Sequence, residues 1–350
     1  MGRRHAAVIL VVAGLAGYAG SGRPPLWASA DSASPPAWLS SSGQLSPADL
    51  ASLERGEVVV RVLSPSASHE VALSAAVKLA SPKDAYLALA ADVPRLKRGP
   101  GFLQLGVFQV PPQDEDVATL RLDETELAAL RRCERGDCSS KLVALAPDGF
   151  RRFDWTAPDV AGRASQLAGQ GLAAYVRGYA ARGPDALMRF DQTRVPTSLA
   201  VEFRGALAAA APVTRLAPEL TPFLEHYPRQ PLPGSRSLLY WSRETFGLKP
   251  VLSAYHHVVY RPPSRPELGV VVSTQLFAGR YFDLTVDVTL AADDPAAPGR
   301  GSYLLSVVRS RVDSLRGALG GMKRSAVERE TREATARLLA HLRRQVDGGG

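Results

Sequence analysis

Cysteine is almost missing from this chain, and with it most of the chemistry that thiols carry. Cys133 and Cys138 are the only two in 350 residues. Two thiols cannot complete a zinc site, and their spacing is not the C-x-x-C of a redox pair. Also missing are an H-E-x-x-H helix, a G-x-S-x-G elbow and a phosphate loop, which argues against familiar hydrolases and metalloproteases. No catalytic residue, metal ligand or cofactor is assigned. The chain is basic, with a formal net charge of +8, but its cations are scattered among acids. Without a basic cluster interleaved with aromatics, nothing points to nucleic acid. The apolar run from Ala6 to Ala19 falls short of the ~20 residues that cross a membrane as a helix.

That run has a different reading. Arg3 and Arg4 precede it, and Ala28-Ser29-Ala30 follows in A-x-A spacing, which is the layout of a cleavable signal peptide over residues 1–30. The chain is therefore expected to be secreted or periplasmic, and its Ala, Arg, Gly and Pro richness suggests a bacterial source. No cysteine stands near the cleavage site to carry a lipid. Residues 31–50 are rich in Ser and Pro and lack periodicity, and are read as a flexible leader. Two cysteines five residues apart, exported to an oxidising compartment, are expected to form a Cys133–Cys138 disulfide that shapes one turn. Arg135-Gly136-Asp137 inside that turn spells an adhesion tripeptide, which arises easily by chance in a chain so rich in Arg and Gly.

The remainder, residues 51–350, reads as a single domain. Strands are predicted over 57–63 and 71–79, followed by a helix that Ser81 caps and Pro82 opens, and by a strand over 102–110. From about 160 to 235 the sequence turns Ala/Leu-rich with helical spacing and is cut by prolines, as a helical insertion would be. Strands return at 238–242, 251–261, 270–277, 281–290 and 303–312. The fourth of these alternates Phe282, Leu284, Val286, Val288 and Leu290 with Asp283, Thr285, Asp287 and Thr289, the pattern of an antiparallel sheet with one wet face. A long amphipathic helix is predicted over 319–346, with Val327, Thr331, Ala334, Thr335, Leu338, Leu342 and Val346 on its buried stripe.

Two stretches carry a family likeness. VALSAAVKLASPKDAYLALAADVPRL (71–96) resembles the first strand and helix of the START and polyketide-cyclase-like helix-grip superfamily. SYLLSVVRSRVDSLRGALGGMKRSAVERETREATARLLAHL (302–342) resembles its last strand and gripping helix. The resemblance implies an α+β fold in which a curved antiparallel sheet wraps the C-terminal helix. It also implies a cavity between them for an apolar small molecule or lipid. The insertion at about 160–235 departs from the family pattern, and would either cap that cavity or fill it.

Candidate ligand contacts concentrate in YWSRETFGLKPVLSAYHHVVY, residues 240–260. His256 and His257 are adjacent and must point to opposite faces of a strand, so they cannot share a metal. Tyr255 and His257 share one face and are expected to line the cavity, with Tyr240 and Arg309 as further neighbours. Arg243, Glu244, Asp283 and Asp287 read as solvated. Three functions fit: an exported binding or carrier protein for an apolar small molecule or lipid; a cyclase- or isomerase-like enzyme using His257 in the same cavity; or an envelope interaction module with a filled cavity, meeting a membrane surface.

Overall fold

The computed structural model describes residues 36–99, 101–134, 140–190, 196–245, 249–297, 299–316 and 320–348. The predicted signal peptide, Cys138 and the tripeptide beside it lie outside these; Cys133 falls in the last turn of a helix over Glu124–Glu134. Eight strands form one antiparallel sheet: β1 Val59–Val62, β2 Glu70–Leu79, β3 Phe102–Val107, β4 Ser235–Glu244, β5 Val251–Tyr260, β6 Leu268–Ala278, β7 Phe282–Asp293 and β8 Ser302–Val312. Their order is β1-β2-β8-β7-β6-β5-β4-β3. Strands β4 to β8 follow one another as a meander, as their short connections require. β2 then closes against β8 over ten paired residues, from Leu79↔Ser302 to Glu70↔Arg311.

The helices include α1 Ala37–Ser41, α2 Pro47–Glu54, α3 Lys83–Ala91, α4 Glu124–Glu134, α5 Val160–Arg182, α6 Leu199–Ala209, α7 Leu220–His226 and α8 Gly320–Asp347, with three further short α-helices at Val93–Leu96, Pro147–Arg151 and Ala211–Thr214. Among the described residues no helix is long and apolar enough to cross a membrane. The architecture is α+β, with a curved antiparallel sheet and one long C-terminal helix, compatible with a helix-grip fold.

α8 buries Val327, Thr331, Thr335, Leu338, Leu339, Leu342 and Val346, the predicted stripe with Leu339 added and Ala334 only half-buried. Its entry needs glycine, because a Cβ on Gly320 would lie 2.0 Å from the carbonyl oxygen of Leu315. Its far end is fastened to the β2–α3 corner, where Ala80 N and Ser81 N each donate to Asp347 Oδ1 at 3.0 Å. Ser81 is thereby diverted from capping α3. Lys83 N donates instead to Asp293 Oδ1 at 2.8 Å, while Lys83 Nζ pairs with Oδ2 of the same carboxylate.

Two expectations are corrected. The segment read as a flexible leader is folded from residue 37 onward, with Trp38, Leu39 and Leu45 buried in the main core. Ser46 and Asp49 form a reciprocal capping box at the start of α2, Ser46 N donating to Asp49 Oδ2 at 2.8 Å and Asp49 N to Ser46 Oγ at 3.3 Å. Ser46-Pro47 is a helix start, which the Ser/Pro composition disguised. The second correction concerns the sheet, which has no wet face.

One face, here called inner, packs on α3 and α8 through Ala75, Val77, Leu79, Leu87, Leu304 and Leu339. The outer face is mostly apolar from β4 to β8, and its Trp241, Val258, Val272, Val286, Val288 and Val307 share a core with Leu172, Val176, Phe203 and Phe223 of the inserted helices. The insertion therefore neither caps nor fills the space beneath α8; it roofs the opposite side. The polar side of β7, expected in water, is turned toward α8.

Candidate functional site

Between that polar side and α8 lies a chamber of about 90 Å³. Its sheet wall is built by Tyr240 of β4, Tyr255 and His257 of β5, Val271 and Ser273 of β6, Thr285, Asp287 and Thr289 of β7, and Ser306 of β8. Leu338, Leu339, Leu342 and Gln345 of α8 form the facing wall, and Tyr86, Leu96 and Lys97 close the side. Strand register assembles the polar wall: His257 lies opposite Ser273 and Ser273 opposite Asp287, one row across three strands. Tyr240 lies opposite Tyr255, and their rings stack with centroids 4.7 Å apart.

Hydrogen bonding fixes the state of His257. Its Nε2 is 2.9 Å from the carbonyl oxygen of Ala90 and its Nδ1 is 2.7 Å from Ser273 Oγ. A carbonyl only accepts, so Nε2 carries the proton and Nδ1 accepts from the serine hydroxyl. Burial, helped by the Lys97 charge and opposed by the Ala90 bond, lowers the His257 pKa to about 4. The ring stands neutral at physiological pH with both nitrogens engaged. That geometry suits holding the wall in place, and leaves little capacity for proton abstraction.

The carboxylates were underrated by sequence reasoning. Asp287 accepts from Ser306 Oγ at 2.6 Å and more weakly from Thr289 Oγ1 at 3.4 Å. Burial raises its pKa, while the Ser306 bond and Lys97 hold it back. Glu244 is buried as well, accepts from Ser242 Oγ, and is likewise raised by burial. Its neighbour Arg243 is not solvated either, donating through Nε to Glu126 Oε2 at 2.8 Å and through Nη2 to Asp123 Oδ2 at 2.5 Å.

Of the four residues picked from the sequence, Tyr240, Tyr255 and His257 border the chamber and Arg309 does not. β8 alternates regularly, so with Ser306 inward Arg309 points outward, donating to Glu70 Oε1 at 2.6 Å. Asp283 also leaves the face expected for it. A register shift at this end of β7 places its carboxylate against Lys141, 2.8 Å away, and Arg316, 2.7 Å away. His256 points opposite to His257, with Nδ1 2.9 Å from Tyr179 Oη and Nε2 2.5 Å from Ser237 Oγ. The missed residues, Asp287, Ser273, Lys97 and Tyr86, carried no signal beyond strand alternation and position after a helix.

His257 makes the stability of the protein pH-dependent in a defined sense. Below about pH 6.5 an unfolded histidine takes a proton, whereas the folded ring resists it down to about pH 4. The unfolded state then binds more protons, so this contribution shrinks as pH falls. The stability advantage of the parent over a His257→Gln variant should narrow by about 2 kcal/mol between roughly pH 7 and pH 5. Urea midpoints of the two proteins at both pH values provide the check; an advantage that stays constant with pH would contradict it.

Among the described residues no three His, Cys, Asp or Glu side chains converge as a metal site requires. Comparison of the chain with protein-family models, with curated proteins and with solved structures found no match.

Proposed function

We propose that this chain is a START-like binding protein that holds a small amphipathic molecule between its sheet and its C-terminal helix, outside the cytoplasm if residues 1–30 direct export. One observation supports the reading above the others: the polar face of the central strands is turned inward, around a space that no side chain fills. A protein needs no such arrangement for packing, because burying polar groups costs free energy that leucine or valine at the same positions would not. Hydrogen-bonding groups on one wall and leucines on the other make the usual pattern of a ligand site.

The volume narrows the ligand. An engineered cavity of about 150 Å³ takes benzene, and each water occupies about 30 Å³ of liquid, so a chamber of about 90 Å³ accepts a compact molecule or the head of a longer one. A lipid chain requires α8 or the turn at Lys97 to move. The carrier reading is preferred to the enzyme reading because both nitrogens of His257 are already engaged.

Filling the chamber tests this. Val271→Phe should abolish retention of any molecule that co-purifies with the protein from its own host, read by native mass spectrometry. It should also lower the affinity for a fluorescent fatty acid or polycyclic dye at least tenfold, with folding intact. Equal binding by the variant, or a parent protein that binds neither probe and carries no molecule, would sink the proposal.

A further inference from the structure

Which chemistry the chamber favours follows from counting its spent and unspent hydrogen bonds. The Ser273 hydroxyl is spent on His257 Nδ1, and His257 Nε2–H on the carbonyl of Ala90. Ser306 and Thr289 are spent on Asp287 Oδ1, Ser242 on Glu244 Oε1, and Thr285 is bonded to Ser310. Three acceptor oxygens are left over, and so are donors, because the Tyr240 and Tyr255 hydroxyls, the Gln345 amide and the Lys97 ammonium donate to no described residue. Asp287 Oδ2 receives no hydrogen bond from the described residues. Tyr240 is fully buried at the chamber wall, yet its hydroxyl has no partner, and neither does Glu244 Oε2 behind it. The unspent capacity is of both kinds, but two of the three unspent acceptor oxygens belong to carboxylates, against the single ammonium of Lys97. Unmatched buried acceptors cost more than matched ones return, and two carboxylates beside one ammonium leave the surroundings of the chamber short of positive charge.

One cation of the chain stands near. The Lys97 ammonium borders the chamber and lies 5.2 Å from the Phe102 ring centroid and 5.9 Å from that of Tyr255, but forms no ion pair with Asp287 or Glu244. Arg309, which could have met an anion, is on the other face. A carboxylate ligand would add a third acid beside two. An alkylammonium would bring three N–H donors and the missing charge, and could lay its short chain on Leu338, Leu339 and Leu342.

We propose that the chamber selects a small primary amine in its ammonium form, with Asp287 as counter-ion, Tyr240 as second acceptor and Lys97 as the resident cation it competes with. This rests on the chamber being a ligand site, as proposed above, and specifies its ligand class.

The test uses the mature chain and three probes of nearly one shape: n-propylamine, 1-propanol and propionate, titrated at neutral pH by saturation-transfer NMR and calorimetry. The amine should bind at least tenfold more tightly than the alcohol, and propionate more weakly than either. Asp287→Asn, which keeps the shape of the side chain, should bring amine and alcohol within about threefold of each other. Tyr240→Phe should weaken the amine alone. Lys97→Gln should strengthen the amine several-fold by removing its competitor. Alcohol or propionate binding as tightly as the amine in the parent, or a weaker amine in Lys97→Gln, overturns the amine assignment while leaving the chamber a ligand site. Binding of none of the three to the parent or to Lys97→Gln overturns both.

Discussion

Glu70→Ala should cost about 3–5 kcal/mol, visible as a large drop in urea midpoint, because it strands the buried Arg309 guanidinium and removes one of two acids from Arg311. Glu70 is fully buried on β2. It accepts from Arg309 Nη1 at 2.6 Å and from Arg311 Nη1, and receives Ser66 N at 3.0 Å and Ser66 Oγ at 2.8 Å. Arg311 has a second acid, Glu202 of α6, at 3.1 Å, but Arg309 has no other ion pair among the described residues. The loss arises from abandoning charges, not from the worth of the pair itself, so the triple variant Glu70→Ala, Arg309→Met, Arg311→Met should regain most of it. A single variant within about 1 kcal/mol of the parent would show that water reaches these arginines.

Phe203→Ala should destabilise by about 3–5 kcal/mol. Phe203 sits on α6 in the middle of the insertion, is 1% exposed, and belongs to the core that contains Val286, Val288 and Val307 of the sheet. An inserted cap that merely rested on a finished domain would tolerate the truncation at under about 1 kcal/mol, as surface sites do. Because the insertion covers the outer face and the chamber lies on the inner one, probe affinity measured well below the melting transition should stay unchanged. Thermal and urea unfolding, followed by the probe titration, tests both halves of the expectation.

All eight strands and the long helix were legible in the sequence, and so was the opposed pointing of His256 and His257. What periodicity could not reveal was which face meets what. Alternation on β7 separates Asp287 from Val288 without saying whether the polar side faces water or a chamber. Apolar residues on the other side signal a cover of some kind, and helices inserted far away in sequence supplied it. Arg309 was expected to reach the cavity, but with Val307 it lies on the outer face, where Glu70 neutralises it. Ser46-Pro47 was passed over for the same reason that Ser81-Pro82 was overrated. A cap residue acts only where no competing partner claims it, and Ser81 is claimed by Asp347 while Ser46 is free to close on Asp49. Volume has no sequence signature at all: the chamber exists because Val271, Ser273 and Ser306 are small where α8 faces them.

Roofing both faces of an eight-stranded sheet has a further consequence for how this molecule meets its own copies. The interior strands run ten to twelve residues from β4 to β8, whereas the marginal strands β1 and β3 have four and six. Among the described residues, the main-chain donors and acceptors of this sheet are open to another chain along those two margins. β3 is interrupted there by a register shift between Phe102 and Gln104, though it shows Leu103 and Val107 to solvent. Short, irregular margins hold too few successive hydrogen bonds to template a foreign strand. The long, valine-rich strands that would aggregate most readily are thus sequestered within the fold, and only its loss exposes them.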